Sequence, residues 1–201
     1  MVENYLRATG FYYVSRIGVI RRFHPMLAAL VERWRPETHT FVLPIGEVTV
    51  TLEDVAHIFG LPIDGKPVSG WTDSSGEFVQ RSTLFTDKST AYAHAKYLPL
   101  LRNFERIHTY SWGSACLAHL YRILCRASRY DTKEMDGPLN LLFVWAWERM
   151  PCLAPVPRQT LPPAMIPVSM RWSYSERTTA WSSKNVETFR HDIDYMQEAK
   201  I

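Results

Sequence analysis

The sequence predicts a mainly α-helical fold, a single helical domain over residues 1–201 with one small antiparallel β-hairpin near residues 39–51. Three observations carry this expectation. Apolar residues recur at steps of three and four in several separate segments of the chain, the spacing that builds one buried helix face. A period-two pattern, the mark of half-buried strands, runs over residues 40–43 and again over 47–52. A content of 46% hydrophobic and 13% aromatic residues in 201 positions is enough for one sizeable core.

The opening, MVENYLRATGFYYVSR, carries an acid at position 3 and no apolar run before its first charges, so no secretory signal is expected. HPMLAALVERW (24–34) has Pro25 in a first-turn position and apolar Leu27, Leu30, Val31 and Trp34, which reads as an amphipathic helix. In the hairpin, Phe41 and Leu43 alternate with Thr40 and Val42, and Val48, Val50 and Leu52 with Glu47, Thr49 and Thr51; Pro44 and Gly46 supply the turn. A helix over 52–59 follows, with Thr51 as N-cap, Glu53 and Asp54 at the dipole's positive end, and Gly60 and Pro62 at its exit.

A strand leading into a capped helix also occurs in modules that read the DNA major groove. Here the stretch from Glu47 to Gly65 holds no Arg and no Lys, and without cations to neutralise phosphates such a helix lacks the main driving force for binding DNA. The unit is therefore expected to pack, with Phe41, Leu43, Val48 and Val50 meeting Val55, Ile58 and Phe59, and with His57 and the acidic first turn outside.

Residues 65–90 are rich in Gly, Ser, Thr and Asp and read as a surface loop. Residues 91–108 look helical with a bend near Pro99. The clearest helix is 111–128, with Leu117, Leu120, Tyr121, Leu124 and Ser128 on one stripe. Gly137 and Pro138 open LNLLFVWAWERM, apolar all round and so central to the core; its run 139–147 is far too short to span a bilayer. Residues 151–167 hold six of the thirteen prolines and read as an extended Pro-rich connector with a binding face on or beside it. Val186, Phe189, Ile193 and Met196 make the stripe of a last amphipathic helix.

The net charge is +3, with 17 Arg against 6 Lys, a bias that suits ion pairs at aromatic faces as well as nucleic acid. Cys116, Cys125 and Cys152 form no CxxC pair and are odd in number, which argues against a disulfide framework and for a reducing compartment. Cys116 and His119 are one turn apart, the spacing of a thiolate and its base, but no third orienting group is evident, and a small Cys packed in a helix explains the pair more simply. His24, His39, His57, His94, His108, His119 and His191 show no HxxxH or HExxH spacing, so no metal is expected. Four potential cations, His119, Arg122, Arg126 and Arg129, line one helix face, where Arg122, Arg126 and Arg129 are candidates for contacts to nucleic acid; a solvated or acid-paired face explains the stripe equally well. Arg33, Arg35 and Glu37 around Trp34, and Glu148 and Arg149 beside Trp145 and Trp147, are candidates for structural ion pairs.

Three blocks together identify a family: LVERWRPETHTFVLPIGEVTVTLEDVAHIFGLPIDGKPVSGW, YLPLLRNFERIHTYSWGSACLAHLYRILCRAS and GPLNLLFVWAWERMP. In this order they resemble the plant mobile domain, found in certain retroelements, DNA transposons and host proteins of the MAINTENANCE OF MERISTEMS group. The likeness covers roughly residues 3–198. It departs between Gly70–Trp71 and Leu84–Lys88, where the family carries a longer segment and this chain has an abrupt seam near Gln80 and Arg81. The resemblance implies a nuclear protein acting in transposable-element silencing, gene expression control, genome stability and meristem maintenance, partnered with a protein phosphatase 7-like protein or another mobile-domain protein. The family has also been labelled aminotransferase-like, but it brings no catalytic set. The six lysines, Lys66, Lys88, Lys96, Lys133, Lys184 and Lys200, fall in loop-like or polar surroundings, and no Gly-rich strand-to-helix turn would cradle a phosphate. The sequence thus points to a non-enzymatic interaction domain without cofactor or membrane contact, with a transposon-derived nucleic-acid-binding domain as the alternative.

Overall fold

The computed structural model describes residues 2–8, 10–17, 24–68, 79–80, 92–93, 105–129, 135, 137–157, 167–173, 175–176 and 178–196. Two short helices, α1 (Val2–Ala8) and α2 (Phe11–Arg16), precede α3 (His24–Val31). α3 buries Met26, Leu27, Ala29 and Leu30 and stops before Trp34, short of the end that its periodicity predicts. The reason is tertiary. Trp34 and Arg35 form β1, in which Trp34 pairs with Phe41. The Trp34 ring is buried at 4.8 Å from that of Phe41, and its Nε1–H donates to Cys125 Sγ at 3.4 Å. An extended backbone delivers the indole to that site where another helical turn would not.

The sheet order is β1-β2-β3, antiparallel throughout, with β2 Thr40–Leu43 and β3 Gly46–Val48. Leu43 pairs with Gly46 across the turn at Pro44 and Ile45, as the hairpin signal implies. Phe41 and Leu43 face the core, while Val42, opposite Glu47, is exposed.

α4 (Leu52–Phe59) begins with a complete capping box. The Thr51 hydroxyl accepts from Asp54 N–H, and Asp54 Oδ2 accepts from Thr51 N–H at 2.8 Å. Val55, Ile58 and Phe59 are buried and His57 is exposed, as expected. Two details differ from the sequence reading. Leu52, at the first helical position, is exposed, and Asp54 is buried. Gly60 ends the helix in the left-handed region (φ 68°), where a Cβ would also lie 2.8 Å from Pro167 Cγ.

Beyond α4, Lys66 N–H and Ser111 N–H exchange hydrogen bonds with Thr109 O and Lys66 O, a parallel bridge that leads toward α5 (Trp112–Ala127). Inside the stretch read as loop, β4 (Val79–Gln80) pairs with β5 (Tyr92–Ala93), so the helix expected from residue 91 does not begin there. Residues 107–109 form a 3₁₀ turn, and the bend expected near Pro99 lies outside the described residues.

α6 (Leu139–Arg149) buries Leu139 and every residue from Leu141 to Trp147, so the helix that is apolar all round is the central one. α4 packs on both α5 and α6, and β1 lies against α5. A 3₁₀ turn (Pro151–Leu153) leaves α6; the rest of the predicted connector is described only at 154–157 and 167. α7 (Ser169–Trp172) packs on α6, and Trp172 lies 5.1 Å from Trp147. α8 (Thr179–Ser182) holds Trp181, whose Nε1–H donates to Leu153 O. α9 (Val186–Asp194), capped by Asn185, lays Phe189 and Ile193 against α3.

Candidate functional site

A pocket of about 280 Å³ opens where the β2–β3 hairpin, the start of α4 and the end of α6 meet. Leu43, Ile45, Val48, Trp145 and Met150 form its apolar wall, and Thr49, Thr51, Asp54 and Arg149 its polar side. Each element brings its residues for a local reason. The turn projects Ile45, the pleat of the hairpin turns Leu43 and Val48 to the same face, and the capping box fixes Asp54. Trp145, its ring stacked on Phe41 at 5.4 Å, closes the floor.

The electrostatics centre on one ion pair. Asp54 Oδ2 accepts from the Thr51 backbone N–H and hydroxyl, and Oδ1 accepts from Arg149 Nη2 at 2.8 Å. The carboxylate side chain is 8% exposed, whereas that of Arg149 is 55% exposed. The buried partner thus holds the guanidinium at the pocket rim through one terminal nitrogen, while more than half of the Arg149 side chain stays exposed. Asp54 and Arg149 are far apart in sequence; only the cap end of this interaction is legible there, through the Thr51-x-x-Asp54 spacing.

The other charged candidates are distributed over the molecule. Arg33 does not meet Glu37: it donates to Ala29 O and Arg190 O and pairs with Asp194, tying the end of α3 to α9. Arg35 and Glu37 are exposed and form no ion pair among the described residues. Glu148 and Arg149, adjacent in sequence, diverge. Glu148 accepts from Trp172 Nε1–H and Arg171, which fastens α7 to α6, while Arg149 turns to Asp54. Arg122, Arg126 and Arg129 are exposed at the C-terminal end of α5. His119 departs from that face. Both its ring nitrogens are buried, and a Cβ at Gly137 (φ 141°) would come within 3.1 Å of His119 Nε2 and 2.0 Å of Ile123 Cδ1. The basic stripe is therefore made of the three arginines.

A second cluster joins the hairpin to α5. Tyr121 donates its hydroxyl proton to Val50 O at 2.6 Å and stacks on His39 at 5.3 Å, and Thr49 Oγ1 donates to His39 O. His39 has a positive φ of 54°, a left-handed conformation held by these contacts.

Cys116 is fully buried in α5, and desolvation pushes its thiol far above the ordinary range. A thiolate is the attacking species in cysteine chemistry, so the Cys116–His119 pair lacks an accessible nucleophile. Among the described residues no group of three or more His, Cys, Asp or Glu is placed to hold a metal ion, and no helix is long and apolar enough to cross a membrane.

Comparison with known proteins gives the chain its relatives. The family model described as plant mobile domain matches residues 10–81 and 78–201. The chain is 36% identical over 192 residues to "Serine/threonine-protein phosphatase 7 long form homolog" of Arabidopsis thaliana, covering 70% of this chain and 14% of that protein. It is 30% identical over 243 residues to "Protein MAIN-LIKE 2" (96% of this chain, 36% of the relative) and 26% identical over 244 residues to "Protein MAINTENANCE OF MERISTEMS" (96% and 50%), both from the same plant. The chain thus spans half or less of the length of these relatives. The alignment to MAIN-LIKE 2 has 243 positions but covers 96% of 201 residues, so about 50 positions of the relative have no counterpart here. No solved structure matches the chain at a significant level. The chain belongs to the plant mobile domain family.

Proposed function

We propose that this chain is a non-enzymatic nuclear interaction domain, a single unit over residues 1–201 whose segment near residues 80–81 is shorter than in its relatives. It acts in transposable-element silencing, gene expression control, genome stability and meristem maintenance, with a protein phosphatase 7-like protein or another mobile-domain protein as partner. One observation carries the reading: the same domain recurs inside chains of very different extent, filling 14% of a relative named as a phosphatase homolog and 50% of MAINTENANCE OF MERISTEMS. A unit reused beside different neighbours is a module, and what it contributes is contact. The burial of Cys116 favours the same reading, because it removes the best nucleophile the sequence offers. A pull-down from plant nuclear extract with the whole chain as bait is expected to recover a metallophosphatase-like protein. Recovery of chaperones alone would contradict the proposal.

The second reading, a transposon-derived nucleic-acid-binding domain, is favoured by the exposure of Arg122, Arg126 and Arg129 at one end of α5. Three cations in succession suit a phosphate backbone.

A further inference from the structure

We infer that the pocket between the hairpin, α4 and α6 receives an extended acidic-apolar peptide segment of a protein partner. A large aliphatic side chain enters the pocket and a carboxylate of the same segment pairs with Arg149. The inference rests on the interaction-domain reading and specifies its surface.

Size decides first. At about 280 Å³ the pocket lies just under the ~300–1,000 Å³ typical of small-molecule and cofactor sites. It suits a side chain anchored by a longer chain outside it. The wall of Leu43, Ile45, Val48, Trp145 and Met150 asks for an apolar group.

Charge decides next. Asp54 is the acid that lines the pocket, and both its oxygens are taken, by Thr51 N–H and hydroxyl on one side and Arg149 on the other. Arg149 uses one terminal nitrogen for that bond and remains more than half exposed, so a held guanidinium with donors to spare faces the occupant. Glu47 sits beside Val42 on the opposite face of the hairpin, hydrogen-bonded to Thr40, and neither Glu47 nor the exposed Glu53 lines the pocket. Complementarity therefore calls for an anion beside the apolar group.

The sheet edge decides the conformation. Among the described residues β3 pairs with β2 alone, so its other edge is unpaired. An unpaired edge accepts an added strand, in which backbone hydrogen bonds supply affinity and alternate side chains supply specificity.

The test uses the whole chain and two fluorescein-labelled hexapeptides read by fluorescence anisotropy. One peptide has a central leucine followed by glutamate; its twin has lysine in place of the glutamate. The glutamate peptide is expected to bind, and the lysine twin to bind at least about tenfold more weakly. Ile45→Glu, a turn substitution that fills the pocket mouth with like charge, is expected to lose about tenfold or more for the glutamate peptide at an unchanged thermal midpoint. Equal binding of the twins overturns the inference, as does no binding of either peptide tighter than ~1 mM, or wild-type affinity in folded Ile45→Glu. Should Ile45→Glu fail to fold, the twin comparison on the unaltered chain still decides. The nuclear-extract pull-down repeated with Ile45→Glu separates the two claims. A phosphatase recovered equally by both baits sinks the pocket and leaves the interaction domain standing. Peptide binding that discriminates the twins, with no phosphatase recovered by either bait, keeps the peptide pocket and sinks the phosphatase as its partner.

Discussion

Asp54 illustrates what a residue in context does beyond its sequence signature. The spacing Thr51-x-x-Asp54 announces a helix start, and the cap forms as announced. The sequence places the whole acidic first turn in water, yet only Glu53 stays there. Asp54 is buried because its second oxygen finds Arg149, 95 residues on, a partner that no local pattern reveals. Asp54→Ala removes half of the capping box and one charge-assisted bond. Arg149, being largely exposed, is rehydrated on losing its partner, so the expected loss is about 1–2 kcal/mol by urea denaturation. Two neighbours on α4 test the packing. Ile58→Ala should cost roughly 2–5 kcal/mol, the range for a core cavity, whereas His57→Ala on the exposed face should leave the midpoint unchanged. A neutral Ile58→Ala would contradict the placement of that helix.

The elements that were legible are those whose own periodicity decides their fate. α5 runs Trp112–Ala127 within the expected 111–128, and α6 is buried without a break from Leu141 to Trp147, the part that is apolar all round. α3 and β1 were not separable in advance, because the strand at Trp34 exists only through Phe41 and Cys125. The joint between α3 and α9 offers a pH test at this scale. Arg190 donates to Glu32, at 2.7 Å through Nε, and that hydrogen bonding holds the Glu32 carboxyl below its ordinary 4.5. A carboxyl depressed in the folded state contributes stability above its unfolded value and loses it as the pH falls through the lowered one. Wild type should therefore exceed Glu32→Gln in stability near neutrality, and the gap should close as the pH drops below 4.5. Both side chains are more than 40% exposed, so solvent keeps the gap small. A gap that widens in acid would contradict the assignment.

At the scale of the whole molecule, the fold class and the family were readable because long helical stripes and composition-rich blocks survive without any knowledge of contacts. The pocket was not, because its lining joins residues 43–54 to residues 145–150 through tertiary packing. The arginine stripe was visible as spacing, but the burial of the His119 ring nitrogens was not, because the ring lies against Gly137, which belongs to a different segment. If that stripe follows a phosphate backbone, replacing Arg122, Arg126 and Arg129 by Gln should weaken nucleic-acid binding and reduce its salt slope by about one unit for each lost contact. Absence of binding by the unaltered chain at low salt would dismiss the second reading.

The proposed role as an interaction domain is tested most directly by isothermal titration of the whole chain into a purified phosphatase of the protein phosphatase 7 type. A saturable one-to-one complex is expected, with phosphatase turnover absent from the domain alone. No heat of binding and no shared elution on size exclusion, with both proteins folded, would contradict it.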